Sequence, residues 1–122
     1  MFSARLGVKD LQRELRFYEG VGFEVEQIPG GARVTFGEAA FTLEAYDEMR
    51  IRDAPLLDWD MKPGLLGHGV QLYLFVDDVD EIQRSIPRQI AQPWPVQDKR
   101  WGLRELTLRT PSGYLVTFAQ RR

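Results

Sequence analysis

The sequence contains no cysteine and a single histidine, His68. The lack of cysteine excludes disulfide bonds, thiolate chemistry and zinc sites with sulfur ligands. No apolar stretch approaches the roughly 18–20 residues that a membrane helix needs. No N-terminal run joins basic residues to a long apolar core, so we expect no signal peptide. We therefore expect a cytoplasmic protein that has no membrane partner.

An excess of positive charge is also missing. The chain has 16 Lys and Arg residues against 18 Asp and Glu residues, a formal net charge of −2. Proteins that bind nucleic acid usually concentrate positive charge on one face, so we expect no nucleic-acid partner. The chain does have an ordinary globular balance, with 43% hydrophobic and 28% charged residues among 122. This length and composition predict one domain around one hydrophobic core.

The predicted elements of the first part of the chain follow the order β-α-β-β-β. Asp10 is placed to cap a helix whose apolar residues recur at helical spacing, and Gly20 and Gly22 indicate the helix end. The turn signal Pro29-Gly30-Gly31 separates two of the strands. The predicted strands cover residues 3–8, 23–28, 32–36 and 39–46.

The same order returns after a connector, residues 47–69, which is rich in Asp, Pro and Gly. We expect at most a short helical turn there, with Trp59 as a packing anchor, and long connectors of this kind often act in function or as lids. In the second part Asp78 and Glu81 form a capping box and Pro87 stops the helix. Strands are predicted at 70–76, 103–109 and 114–120, with further short ones near Ile90 and at 96–101.

The two halves are related by an internal repeat. Val8, Asp10 and Leu11 correspond to Val76, Asp78 and Val79 at one constant offset, which is a sign of duplication. One β-α-β-β-β unit leaves an open sheet. We therefore predict a single α+β domain in which two such repeats, residues 1–46 and 70–122, pair their mixed sheets into a cup with the helices outside.

Three motifs in this order resemble the glyoxalase / bleomycin-resistance / extradiol-dioxygenase superfamily, also called the vicinal-oxygen-chelate proteins. The last motif looks particularly like the bleomycin-resistance branch. The motifs are Val8-Lys9-Asp10-Leu11 with Phe17-Tyr18-Glu19 and Gly22-Phe23, then Val76-Asp77-Asp78-Val79, then Trp101-Gly102-Leu103-Arg104-Glu105-Leu106 with Pro111-Ser112-Gly113-Tyr114.

The resemblance implies one metal ligand from each of four strands, usually His or Glu. Those positions fall on Ser3, Glu44, Gln71 and Thr117 of this sequence. Only Glu44 is a normal ligand for a transition metal. The resemblance therefore implies the scaffold without the metal, and no other cofactor is indicated. It also implies a homodimer with pockets at the subunit interface.

Strand alternation predicts which side chains line the cup. If Ser3 and Gln71 face it, so do Arg5, Tyr73 and Phe75. On the strand at 103–109, Leu106 and Leu108 suit the helix side, which leaves Glu105 and Thr107 for the cup. Trp94 and Trp101 stack on a flat ligand at the rim or cap the core, and Glu44 either contacts ligand or pairs with Arg5. The candidate ligand-binding residues are Arg5, Glu44, Gln71, Tyr73, Trp94, Trp101, Glu105 and Thr117.

These residues support a metal-free protein that binds a small organic molecule, sequestering an aromatic or antibiotic-like compound. The modest charge argues against cationic bleomycin itself. The main alternative is a glyoxalase-like metal-dependent lyase or isomerase that uses Glu44 with His68 or Glu105. A metal-free enzyme with Glu44 or Glu105 as base, and a dimer with no ligand, are the remaining hypotheses. We interpret His68 as a loop residue and Asp77-Asp78 as helix capping.

Overall fold

The computed structural model describes residues 2–52, 64 and 66–122. The first repeat consists of one helix and a four-stranded sheet in the order β1-β4-β3-β2. β1 runs parallel to β4, and the other neighbours are antiparallel. The elements are β1 (Arg5–Val8), α1 (Leu11–Val21), β2 (Glu24–Ile28), β3 (Gly31–Phe36) and β4 (Ala39–Ala45).

The ends of α1 are set by the residues that the sequence indicates. The Asp10 carboxylate accepts a hydrogen bond from the Arg13 backbone amide at 3.1 Å, which satisfies one of the free donors of the first turn. Gly22 closes the helix in the left-handed conformation at φ 113° and donates to the carbonyls of Tyr18 and Glu19. Gly20 belongs to the helix itself and does not end it.

The second repeat has the same topology, with a sheet in the order β5-β8-β7-β6 and β5 parallel to β8. Asp78 caps its helix by accepting from the Glu81 amide at 3.1 Å. The elements are β5 (Gln71–Phe75), α3 (Val79–Ser85), β6 (Trp94–Asp98), β7 (Leu103–Arg109) and β8 (Leu115–Arg121). The α+β class and the duplication predicted from the sequence are therefore confirmed.

Several local predictions were wrong. The connector starts with a two-turn helix, α2 (Tyr46–Arg52), where only a short turn was expected. Tyr46 and Met49, on one side of this helix, are buried. Packing of that side therefore stabilises the helix, although turn signals follow it in the sequence. No strand forms at Ile90, and β6 begins at Trp94 instead of residue 96. Residues 53–63 and 65, which include Trp59, lie outside the described part of the chain.

One core joins the two repeats, and it lies on the sides of the sheets that the helices cover. Its members come from both sheets and from the helices α1 and α3. The Phe118 ring on β8 lies 5.2 Å from the Phe36 ring and 6.3 Å from the Phe23 ring of the first repeat. Such aromatic contacts contribute about 0.5–1.5 kcal/mol each beyond the area they bury.

The turn between β7 and β8 adds polar contacts across the same joint. The Ser112 backbone amide donates to the Glu14 carboxylate at 2.6 Å, and the Ser112 hydroxyl accepts from the Lys9 amide at 2.8 Å. The Tyr114 hydroxyl donates to the Gly7 carbonyl at 2.8 Å.

The sheets themselves share no strand pair among the described residues. The sequence predicted that the two sheets would join into one cup. Within the described part of one chain, strand pairing does not join them. The polar faces lie opposite the shared core. Among the described residues no helix is long and apolar enough to cross a membrane.

Candidate functional site

The second sheet presents an aromatic and polar face on the side away from the core, which we call the polar face of the second sheet. It comprises Gln71, Tyr73 and Phe75 of β5, Glu105 and Thr107 of β7, Thr117 of β8 and the rim residues Trp94 and Trp101. Alternation explains the division, because the intervening Leu74, Leu106 and Phe118 are buried in the core.

A chain of hydrogen bonds runs across the middle of this face. The Gln71 side-chain amide donates to the Thr117 hydroxyl at 2.9 Å, and the hydroxyls of Thr107 and Thr117 lie 2.8 Å apart. Thr117 is fully buried while Gln71 is exposed. The buried Thr117 hydroxyl therefore orients the Gln71 side chain. Of the two residues, only Gln71 is accessible to a ligand.

Glu105 holds two aromatic side chains in place. The residue is 3% exposed, and its carboxylate accepts from the Tyr73 hydroxyl at 3.2 and 3.3 Å and from the Trp101 indole N–H at 2.7 Å. Burial and the neighbouring Glu105 carboxylate raise the pKa of Tyr73 above its ordinary value. Tyr73 and Trp101 are nevertheless 41% and 56% exposed. Their polar atoms point to Glu105 and much of their ring surface meets solvent.

Cations flank the exposed rings of this face. The Arg121 guanidinium lies 4.4 Å from the centre of the Phe75 ring, and the Arg109 guanidinium lies 5.1 Å from the Trp94 ring. Such cation–π contacts hold a ring in one orientation. Alternation placed Phe75 on this face without making it a candidate ligand contact, whereas Arg109 and Arg121 were not considered for this face from the sequence. The same alternation would have found Arg121, which lies two residues beyond Ala119 on β8.

The first sheet carries the two remaining candidates as an ion pair. Arg5 on β1 and Glu44 on the adjacent β4 are 3.1 Å apart, and Glu44 is 7% exposed. The pairing reflects strand register, because Arg5 lies opposite Thr42, two residues before Glu44, and residues two apart on a strand share a face. Glu44 and Glu105 belong to different sheets of the chain, so strand register does not pair them.

Solved structures with the same topology are numerous. A hypothetical protein from S. aureus superposes with a TM-score of 0.77 at 17% identity, covering 98% of this chain and 91% of that one. A glyoxalase/bleomycin resistance protein/dioxygenase from Nocardioides gives a TM-score of 0.72 at 19% identity, covering 98% and 81%. This chain has the glyoxalase/bleomycin-resistance fold. The bleomycin resistance determinant encoded on transposon Tn5 also shares that fold, with a TM-score of 0.69 at 19% identity over 100% and 98% of the two chains.

Sequence comparisons add nothing to this assignment. No family model matches the chain, and no curated protein matches it. The glyoxalase/bleomycin-resistance fold is thus recognised here through its topology and three short motifs. Sequence identities of 17% and 19% indicate a shared fold and do not transfer the functional residues of those proteins to this chain.

The metal that this fold implies does not fit the residues at the four ligand positions. Ser3 and Glu44 belong to the first repeat, while Gln71 and Thr117 bond each other in the second. A hydroxyl, an amide and a second hydroxyl beside one carboxylate are a poor set for a divalent transition metal. Ser3 lies outside β1, which begins at Arg5. Among the described residues no group of three or more His, Asp or Glu side chains is placed to hold a metal ion.

The remaining polar candidates have structural positions. His68 lies exposed in the turn that precedes β5. Asp78 is the cap of α3, as its spacing from Glu81 predicted, and the neighbouring Asp77 is exposed.

Proposed function

We propose that this protein is a metal-free binding protein that stacks a small, flat aromatic compound on the polar face of the second sheet. The observation that carries the proposal is the arrangement around Glu105. One buried carboxylate fixes Tyr73 and Trp101 while both rings remain substantially exposed.

This arrangement favours a particular kind of ligand. The hydroxyl of Tyr73 and the indole N–H of Trp101 are already bonded to Glu105, so the rings offer their faces more than their polar atoms. Fixed rings lose little conformational entropy on stacking, which favours a planar aromatic ligand. The exposed Gln71 amide, oriented by Thr117, supplies one polar contact that would select among such compounds.

Sequestration is the use that such a site supports best. Neither carboxylate of the candidate set is free to act as a base in the described structure, since Glu105 is held by two donors and Glu44 pairs with Arg5. A structure with the same fold is named as a bleomycin resistance determinant, which supports capture of an antibiotic-like compound. The alternative of a glyoxalase-like lyase or isomerase requires a metal that the donor set does not suit.

A homodimer would complete this site. β1 and β5 each form one of the two edges of their sheet among the described elements, and β5 carries the exposed Tyr73 and Phe75. An outermost strand presents unpaired backbone groups that a second chain can cover. We propose that the polar face of the second sheet in one copy is closed by another copy of the chain. Sedimentation equilibrium should then give twice the 14.1 kDa chain mass, and a monomer at all concentrations would contradict it.

The binding proposal is tested by thermal unfolding in the presence of a panel of flat aromatic compounds. A true ligand at 100 times its dissociation constant stabilises the folded state by about 2.7 kcal/mol. Trp101→Leu should abolish the shift, while Phe2→Leu, which removes an exposed aromatic side chain preceding β1, should leave it unchanged. A panel with no hit, or equal losses in both variants, would contradict the proposal.

A further inference from the structure

A second cavity lies between the repeats, and none of its lining residues bonds to Glu105. One wall is α1, and the other is formed by the loop before β6 and the end of β7. The groove has a volume of about 560 Å³. Ligand pockets commonly measure about 300–1,000 Å³, so this groove is large enough for a small organic molecule. We call it the arginine groove, after the side chains Arg13, Arg16 and Arg109 that line it.

The floor of the arginine groove is apolar. It includes Phe17 from α1, together with Pro87, Ile90 and Pro93 from the facing loop. Arg13, Phe17 and Gly20 lie on one side of α1 because residues three and four apart share a helix face. Gly20 allows the close approach of the loop, since a Cβ there would lie 3.1 Å from the Ile90 side chain.

The charge of this groove is of one sign. Its lining contains three arginines and no aspartate or glutamate. None of the three forms a salt bridge within the described part of the chain. Arg109 instead lies over the Trp94 ring. Three guanidinium groups around one cavity, in a chain whose formal net charge is −2, concentrate positive potential where a bound anion would neutralise it.

From this juxtaposition we propose that the arginine groove binds a small organic anion, a carboxylate attached to an apolar chain or ring. The guanidinium fork matches the two oxygens of a carboxylate, and charge-assisted hydrogen bonds of this kind are the strong ones. The apolar body would lie on Phe17, Ile90 and the prolines. The arginine groove shares no residue with the polar face of the second sheet, although the two adjoin where Arg109 of the groove lies over Trp94 of that face.

The test uses three probes with the same eight-carbon chain: octanoate, octanol and octyltrimethylammonium. Binding is measured by titration calorimetry at low ionic strength, where charge interactions are least screened. We expect octanoate to bind most tightly and the cation to bind least. The variant Arg13→Gln/Arg16→Gln should weaken octanoate by about tenfold or more, as expected for losing hydrogen bonds to a charged group.

A charge-matched control separates the groove from general electrostatics. Arg33→Gln/Arg50→Gln removes two exposed arginines that do not line the groove and should leave octanoate affinity within about twofold. Equal binding of octanoate and octanol, or equal losses in both double variants, would overturn the proposal. Trp101→Leu should not change octanoate binding, so this result is independent of whether an aromatic ligand is found for the second sheet.

Discussion

Glu14 provides the sharpest test of how the two repeats are joined. Its side chain lies fully buried on α1, and one carboxylate oxygen accepts the Ser112 amide at 2.6 Å. The other oxygen is buried without a hydrogen-bond partner among the described residues. Glu14→Ala would leave the Ser112 backbone N–H buried without this acceptor, which lowers the free energy of unfolding by about 1–3 kcal/mol. Removal of the unpartnered oxygen offsets part of that loss, so we expect a net destabilisation of about 1–2 kcal/mol.

The pH dependence distinguishes this carboxyl from an ordinary one. Burial raises the pKa of Glu14 above 4.5, against smaller opposing effects of hydrogen bonds from Ser112 and Thr110 and of the nearby Arg13. The folded state therefore favours the protonated form. Its contribution to stability is complete below pH 4.5 and is lost as the pH rises through the raised value. Glu14→Gln keeps an acceptor for Ser112 and does not titrate, so its stability should lack this fall.

Urea unfolding at pH 5 and at pH 8 measures both effects. From pH 5 to pH 8 the free energy of unfolding of the Gln variant should rise relative to that of the wild type. The Ala variant should be less stable than the Gln variant at both pH values. A wild type and Gln variant with parallel pH profiles would refute the buried, proton-favouring environment of Glu14. At pH 5, an Ala variant within about 0.3 kcal/mol of wild type would refute the role of the Ser112 contact in joining the repeats.

Three further substitutions test the same structure by urea unfolding. Phe118→Ala removes the ring that contacts Phe23 and Phe36 of the first repeat and should cost about 3–5 kcal/mol. A loss below about 1 kcal/mol would contradict the shared core. Gly31→Ala would push a Cβ against the Leu43 carbonyl on the neighbouring strand and should cost about 1–3 kcal/mol. Gly37→Ala is the comparison, because a Cβ there meets open space but the backbone has a positive φ. The pair of variants therefore separates the cost of a clash from the cost of backbone strain. Burial and the nearby Glu14 raise the pKa of Tyr114 from 10.0 to about 12. The contribution of this hydroxyl to the free energy of unfolding is therefore complete below pH 10 and is lost towards pH 12. Tyr114→Phe should be less stable by about 1 kcal/mol at pH 7 and lose less above pH 10, and an unchanged alkaline slope would count against this reasoning.

The duplicated topology could be predicted because its signals are local. The cap residues Asp10 and Asp78, the turn glycines and the alternating strands act over a few residues each, and the structure has them where the sequence indicates. Alternation also predicted that Tyr73 and Glu105 would share a face, and their hydrogen bond bears out that part of the geometry. The helix α2 was missed because its stability comes from burying Tyr46 and Met49, which local pattern does not reveal.

Other features depend on contacts between residues far apart in the chain. Glu14 looks like a surface residue of an amphipathic helix until the β7–β8 turn of the other repeat closes over it. The arginine groove likewise has walls from both repeats, and neither half carries a motif for it. Local sequence specifies each βαβββ unit because caps, turns and strand periodicity are short-range interactions. The way the two units pack decides which charges are buried and which are brought together, since burial and electrostatics depend on every neighbour in space.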